Sequence, residues 1–433
     1  MLLAACVLLF ACKPAPGTRT MTMIDPGHFH AALIQKSMLP GVSETVRVFA
    51  PEGAELRTYL QAIDSYNSRP EQPTSWKEEV HASDDYLEAL PEARKGDFVV
   101  LAGNNRKKAD YILTAVRKGY HVLADKPMAI NVTDFQKLKE AYALARQNRL
   151  VIYDLMTERY DLLNIVGRKL ISDRELFGDP LEVTISSVHH FYKNVSGNAL
   201  QRPAWYYDVR QQGEGIADVT THLVDQVFWL CFPDDSIREQ DVTLLEAEHS
   251  PTAVTLEQYT ASTGATVFPD YLSGAVKDGV LHVLSNGSIS FDVKGVPVRM
   301  HVRWDYEAPS GTGDTSEALF RGSHATVRFV QNASTGFVRQ LFLSAPEPEA
   351  RRVEARLKEK YSFIQLSPAE ENTFLVDIPP KERPGHEEHF SLTASAFLEY
   401  LDGKPLPAWE EPNTLTKYFL TTGAVALADR MTE

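Results

Sequence analysis

Two short stretches carry residue types that can do chemistry on an alcohol or a ketone. The apolar run His121-Val122-Leu123-Ala124 is followed by Asp125-Lys126-Pro127, which presents an ammonium group just beyond it. Farther along, Gly213-Glu214-Gly215 precedes Asp218 and His222, a carboxylate and an imidazole one helical turn apart and therefore on one face of any helix there. Oxidising a secondary alcohol needs a base for the hydroxyl proton and a cation to hold the developing alkoxide. Taken alone, Asp218 and His222 also fit an ordinary helical pair on a solvated face.

The elements that must position these groups follow from periodicity. From 20 to 154, short apolar runs alternate with amphipathic segments, the pattern of a parallel sheet built from βαβ units. Strands are expected at 20–25, 46–50, 97–102, 121–124 and 150–154, and helices at 30–38, 54–67, 83–90, 107–118 and 134–147. The helix at 83–90 rests on Ser83 followed by Asp84 and Asp85, a favourable N-terminus. Ligands of such a sheet bind at the carboxyl ends of its strands, where Asp25, Ala50, Gly103 and Asp125 fall. Beyond 154 the pattern becomes α+β: helices at 162–172 and 216–231, a strand at 181–190, β-rich runs at 280–284, 288–293, 298–306, 325–330 and 337–343, and closing helices at 386–401 and 415–431. The expected fold class is α/β, with an N-terminal Rossmann-type parallel sheet over 18–154 and an α+β domain with a large, mostly antiparallel open sheet over 155–433. Residues 1–17 form a leader and linker.

At 433 residues the chain exceeds one comfortable core, in keeping with two domains. Its formal charge of -14, with no basic stripe, excludes a general nucleic-acid binder. Leu2 to Phe10 is too short to span a bilayer and has the size of a secretory apolar core. Leu9-Phe10-Ala11-Cys12 resembles a lipoprotein cleavage box, with Cys12 as the lipidated residue. The expected address is therefore the bacterial envelope, at the periplasm or cell surface, with membrane contact only through the lipid. No basic residue precedes the apolar run, which points to a truncated gene start. Apart from this leader Cys231 is the only cysteine, so no intrachain disulfide is expected, and its apolar neighbours describe an inert buried thiol.

The first βα junction, Ile24-Asp25-Pro26-Gly27-His28-Phe29-His30, falls where a dinucleotide fold carries G-x-G-x-x-G. Only Gly27 remains of the three glycines, and a carboxylate at Asp25 is unfavourable beside a pyrophosphate unless it points away. The run Gly103-Asn104-Asn105 through Lys118, then His121 to Pro127, nevertheless resembles the Gfo/Idh/MocA family of nicotinamide-dependent sugar oxidoreductases. Gly213-Glu214-Gly215 with Asp218 and His222 matches that family's G-G-G-x-x-x-D-x-x-x-H save for one glycine. The resemblance spans the mature chain in order and spacing.

It implies a nicotinamide cofactor, tightly held, at Gly27, His28, Phe29, Glu52, Gly103, Asn104, Asn105, Asp125, Lys126 and Pro127. It makes His222 the expected base, Asp218 its neighbour, and Lys126 the oxygen-stabilising cation or proton relay. Ala50 ends the second strand where many members place an acidic residue, a part that Glu52 is near enough to take, and NAD is preferred over NADP. Lys108 replaces the family's distal histidine. Tyr153, Glu158, His190, Tyr192, Trp205 and Asp208 are candidate sugar contacts, through stacked aromatic faces and carboxylates. Core packing fits Tyr206 equally well, and ion pairing fits Glu158 and Arg159. A possible homo-oligomer would pair through the C-terminal sheet.

His28-Phe29-His30 and His386-Glu387-Glu388-His389 also suit a metal-dependent hydrolase, with Lys126 as a bridging ligand. Five βα units followed by a sheet-rich half do not make a barrel, so no metal is assigned. Export poses a separate problem, because little nicotinamide is available outside the cytoplasm to exchange. The expected chemistry is consequently redox-neutral on a retained cofactor: oxidation of a sugar or glycoside at C3, elimination of the C1 substituent, water addition and re-reduction, as in the family's NAD-dependent glycosidases. A simple sugar or polyol dehydrogenase and a catalytically silent sugar-binding lipoprotein are the alternatives.

Overall fold

The computed structural model describes residues 19–195 and 198–432. The leader, with Cys12, lies outside the described residues. Strands β1 (Met21–Ile24), β2 (Thr45–Ala50), β3 (Lys77–Ala82), β4 (Phe98–Leu101), β5 (His121–Ala124) and β6 (Ile152–Asp154) form one parallel sheet in the order β3-β2-β1-β4-β5-β6. Strands β1 and β4 bury all their residues, as central strands covered on both faces must. The strand order reverses between them, which places the switch point of the sheet, where ligands of such folds bind, at their carboxyl ends. This is an open sheet, not a barrel.

Two expectations fail in this half. Strand β3, Lys-Glu-Glu-Val-His-Ala, has no apolar alternation because it is an edge strand whose Val80 is itself exposed; its charges oppose further pairing. The segment 83–90 is a run of turns, not a helix. Ser83 donates to the Asp85 carboxylate, Tyr86 is tied to the Tyr111 hydroxyl at 2.5 Å, and Pro91 follows.

The second half is built on a ten-stranded sheet. Its main path runs Val242–Thr255, Val280–Val293, Val296–Glu307, Pro180–Tyr192, Thr315–Gly322, Thr326–Gln331, Gln340–Ser344, Thr373–Asp377 and Gln365–Glu370. All neighbours are antiparallel except Val296–Glu307 against Pro180–Tyr192. Burial alternates residue by residue along Val280–Val293, one unbroken strand where two runs were expected. The buried face packs on helices that include Val219–Cys231 and Glu410–Thr432.

Helix His386–Leu401 crosses back to the first half. Its Phe390, Ala394, Phe397 and Leu398 join the core formed by β1, β2 and β4, so the nucleotide-fold half is completed by the far end of the chain. A buried ionic network locks the halves at another point. Lys417, with no exposed side-chain surface, donates to Asp154 at the end of β6 (2.9 Å) and to Asp225 (2.8 Å). Arg159 holds both oxygens of Asp225 (2.6 and 2.8 Å) and the Glu410 carboxylate (2.7 Å).

Candidate active site

The crevice is set by a close backbone approach. A β-carbon on Gly103 would lie 2.1 Å from the Asp25 carbonyl oxygen, so only glycine lets the loop after β4 meet the loop after β1. Asp25 itself adopts a left-handed conformation, with φ of 48°. Its carboxyl accepts from Tyr111 at 2.7 Å, which turns it to that hydroxyl and eases the objection to an acid beside a pyrophosphate, and burial pushes its pKa up.

Two clefts open there. The larger, about 580 Å³, is lined by Lys126, Asp218, His222 and Glu158, and by the expected cofactor residues His28, Phe29, Gly103, Asn105 and Asp125. The smaller, about 240 Å³, is lined by Gly27, Glu52, Asn104 and Trp205. Pro127 is buried and lines neither. A cleft of about 750 Å³ elsewhere, between helices Leu162–Ser172 and Glu347–Lys360, contains none of these residues.

Lys126 leaves β5 and donates to the Asp218 carboxylate across the join of the two halves. Burial alone would raise the Asp218 pKa, but Lys126 outweighs it and holds the group below the usual carboxylate range. Asp218 therefore pairs with Lys126, not with His222 as its helical spacing suggested. His222, in the first turn of helix Val219–Cys231, has a buried Nδ1 without a hydrogen-bond partner. Desolvation and the Lys126 charge push its pKa down to about 4, so it is neutral at pH 7 and able to accept a proton.

The glycines before it have steric reasons. Gly213 has φ of 95°, and a β-carbon on Gly215 would sit 1.9 Å from the Ser285 carbonyl oxygen. The intervening Glu214 is buried and pairs with His249 at 2.7 Å. On the other wall, Asp125 accepts from His30 at 2.8 Å, and despite burial His30 and Lys108 hold its carboxyl well below the normal range. Buried Lys108 bridges the Asn105 Oδ1 (2.5 Å) and the Asp125 carbonyl (2.9 Å), with desolvation lowering its pKa to about 8. Asn105 in turn donates to the Gln212 carbonyl at 2.7 Å and Asn104 to the Gln211 side chain at 2.7 Å, which clamps the third loop to the glycine motif. Among the described residues two trios could take a cation, His28/His30/Asp125 and Glu214/His249/Asp429, each with ligand atoms within 4.8 Å of one another.

The expected sugar contacts are only partly brought together. Glu158 reaches the large cleft, held by Arg339 at 3.2 Å and Asn164 at 3.1 Å. Tyr153 is a core residue, bonded to Tyr160 at 3.0 Å and packed on Phe397, because β6 is covered by helix His386–Leu401. Trp205 faces the smaller cleft beside Gly27. Asp208 caps the short helix Val209–Gln212 and pairs with Arg210 at 2.9 Å. Tyr192 stacks on Tyr306, and His190 is 4% exposed and bonded to Asp314 at 2.8 Å, so the large cleft meets their neighbours His189 and Lys193 instead. Arg202, Trp304 and Asp314 also line that cleft and were not legible as site residues, since each comes from a remote segment without a local motif; His386, read in the sequence only as part of a metal motif, lines it as well.

Residues 41–154 match the family described as "Oxidoreductase family, NAD-binding Rossmann fold", and residues 169–429 the one described as "Putative oxidoreductase C terminal domain". The crystal structure of a "putative oxidoreductase" from Parabacteroides merdae is 39% identical, covers 96% of this chain and 99% of its own, and superposes with a TM-score of 0.94. Glucose-6-phosphate 3-dehydrogenase of Bacillus subtilis is 30% identical over 159 residues, 35% of this chain, which thus spans only 41% of that protein. A 3-ketoreductase from Actinomadura kijaniata, solved with NADP and TDP-benzene, is 14% identical with a TM-score of 0.55, over 94% of this chain and 96% of its own, a likeness of fold alone. With the two matched segments in order along one chain, the near-complete overlay on the Parabacteroides protein and the Lys126, Asp218 and His222 motifs in one cleft, the protein belongs to the Gfo/Idh/MocA family of NAD(P)-dependent oxidoreductases.

Proposed function

We propose that the protein oxidises a ring secondary alcohol of a sugar or glycoside, at C3, on a nicotinamide cofactor retained through the cycle. The observation that carries this is neutral His222 beside the Lys126–Asp218 pair in one cleft with Asp125, Asn105 and Gly103. The residues fit the cofactor: a β-carbon on Gly27 would meet nothing nearer than 3.6 Å, Asp25 is turned to Tyr111, and Glu52 stands where β2 ends. Glu52 and Glu55 beside that strand end favour NAD, through hydrogen bonds to a ribose diol. Bound nicotinamide supplies the hydride acceptor and, on the return step, the donor.

His222 takes the hydroxyl proton while the Lys126 ammonium stabilises the oxygen that loses it. A C3 ketone acidifies the C2 proton; loss of that proton with departure of the C1 substituent, addition of water and re-reduction give net glycoside cleavage without net redox change. Simple dehydrogenation is the second reading, favoured by the likeness to a sugar-phosphate 3-dehydrogenase. A silent binder is disfavoured because binding alone needs no buried Lys126–Asp218–His222 set.

Export with a lipid on Cys12 is part of the same reading, supported by Leu9-Phe10-Ala11-Cys12. Subunits, where they pair, would use the open face of the large sheet. Protein purified without its leader is to be denatured and its released small molecules analysed. Near-stoichiometric NAD is expected; none at all defeats the retained-cofactor reading. A glycoside panel followed by bound-cofactor fluorescence then separates cleavage, dehydrogenation and binding alone.

A further inference from the structure

We infer that the cleft receives a sugar bearing an anionic group, and that the Arg202 guanidinium binds it. This rests on the sugar-oxidoreductase reading above and adds the substrate's charge class. The carboxylates around the cleft are already engaged: Asp218 by Lys126, Asp125 by His30 at 2.8 Å, Glu158 by Arg339 at 3.2 Å, and Asp314 by Lys193 at 2.6 Å and His190 at 2.8 Å. Arg202 lines the same cleft, is only 6% exposed, and has no carboxylate in ion-pair reach among the described residues. The charge pairing leaves this one cation over.

Its setting is rigid. Nε donates to the Phe191 carbonyl at 2.6 Å and Nη2 to the His190 carbonyl at 3.2 Å, at the end of strand Pro180–Tyr192. The guanidinium lies 4.2 Å from the Tyr206 ring centroid and 5.5 Å from that of Trp304. Carbonyls and ring faces orient a buried cation but do not neutralise it, and such a charge is costly until an anion completes it. A planar fork with N–H groups to spare suits a carboxylate or a phosphate, which it can grip with two parallel hydrogen bonds. Neighbouring Lys193 does not compete, since its charge is spent on Asp314. A hexuronide or a sugar phosphate supplies the missing charge, and Trp304 lines the same wall.

The test is calorimetric titration of the cofactor-loaded protein with methyl glucoside, methyl glucuronide and glucose 6-phosphate, at low and high salt. At least one anionic sugar should bind about tenfold more tightly than the glucoside, with the gap narrowing as salt rises. Arg202→Gln should weaken that anionic sugar about tenfold more than the neutral one, with Arg202→Lys between the two. Equal or better binding of the neutral sugar by the unmodified protein overturns the inference, as does a loss in Arg202→Gln that is the same for charged and neutral ligands, the mark of a purely structural arginine. If Arg202→Gln fails to fold, the unmodified protein's preference and its salt dependence decide. The glucuronide and phosphate arms separate the two anions. Oxidation of neutral sugars without anionic preference sinks this inference alone, whereas a protein that binds no nicotinamide and oxidises no sugar sinks the proposed function and leaves the binding preference to be read on its own.

Discussion

Lys126 and Asp218 form an ion pair across the join between the two halves, the lysine leaving the end of β5 and the aspartate preceding the helix that bears His222. Both side chains are largely buried, at 13% and 7% exposure, so neither charge can be lost without stranding the other. On the proposed reading the pair divides labour: Asp218 aims the Lys126 side chain, and neutral His222 is left to take a proton.

Replacing Lys126 or His222 by Ala should therefore lower kcat by about 10²–10⁴-fold, the usual worth of a positioned acid or base. Circular dichroism and released nicotinamide should show the fold and the cofactor retained, with Lys126→Ala the less stable of the two because it strands Asp218. Turnover within a fewfold of the unmodified protein would remove these residues from the chemistry.

The His222 pKa sets an acid limb. Burial and Lys126 lower it to about 4 in the folded protein, against an ordinary value of 6.5. Between these values the unfolded chain binds the extra proton, so stability from neutral His222 is fully present above pH 6.5 and is lost as pH falls to 4. The loss amounts to roughly 3 kcal/mol at most. Urea unfolding at a series of pH values should show this decline, and His222→Gln should flatten it. For the free enzyme kcat/KM should fall only as pH drops towards 4, since that is where the base is protonated. An activity limb near 6.5 would contradict the buried neutral imidazole.

Much of this site was legible because Lys126 follows a strand end and Asp218 and His222 open a helix behind a glycine motif, places that the fold itself fixes. Lys126, Asp218 and His222 line one cleft, as the family resemblance implied, although Asp218 turns to Lys126 because a buried carboxylate is better satisfied by an ammonium than by a neutral ring. Strand β3 was not legible, since an edge strand needs no apolar face. Arg202 and Asp314 were not either: they reach the cleft through the pairing of distant strands, which leaves no local pattern, whereas His386 stood in a histidine motif that suggested a metal and enters the cleft on the returning helix His386–Leu401. Tyr153 shows the converse, a polar aromatic at a promising strand end that the returning helix covers.

Two glycines of the crevice should respond differently to the same added methyl. Gly103→Ala drives a β-carbon to 2.1 Å from the Asp25 carbonyl oxygen, so the loops must part and the protein should lose stability and nicotinamide together. Gly27→Ala meets only ordinary contacts at 3.6–3.7 Å and should fold normally while weakening nicotinamide, because the methyl occupies the cleft beside Glu55 and Trp205. Thermal unfolding paired with fluorescence titration of nicotinamide separates the two effects. Undiminished cofactor affinity in Gly27→Ala would place the cofactor elsewhere.

The buried network at Lys417 should matter for stability and for the position of His222 alike. Lys417→Met strands Asp154, whose Oδ1 already lacks a partner, and removes one of the two cations on Asp225. Loss of one member of a buried pair costs about 3–5 kcal/mol, which urea unfolding would read directly. Adding Asp154→Asn to Lys417→Met removes the stranded charge and leaves an amide that still meets the Tyr418 hydroxyl, so the double variant should recover at least about 1 kcal/mol. Asp225 lies one turn beyond His222 on the same helix, so loosening it shifts the imidazole against Lys126. Lys417→Met should accordingly lower kcat more than it weakens nicotinamide; strictly additive stabilities with unchanged kcat would show that the network neither couples its members nor holds the base.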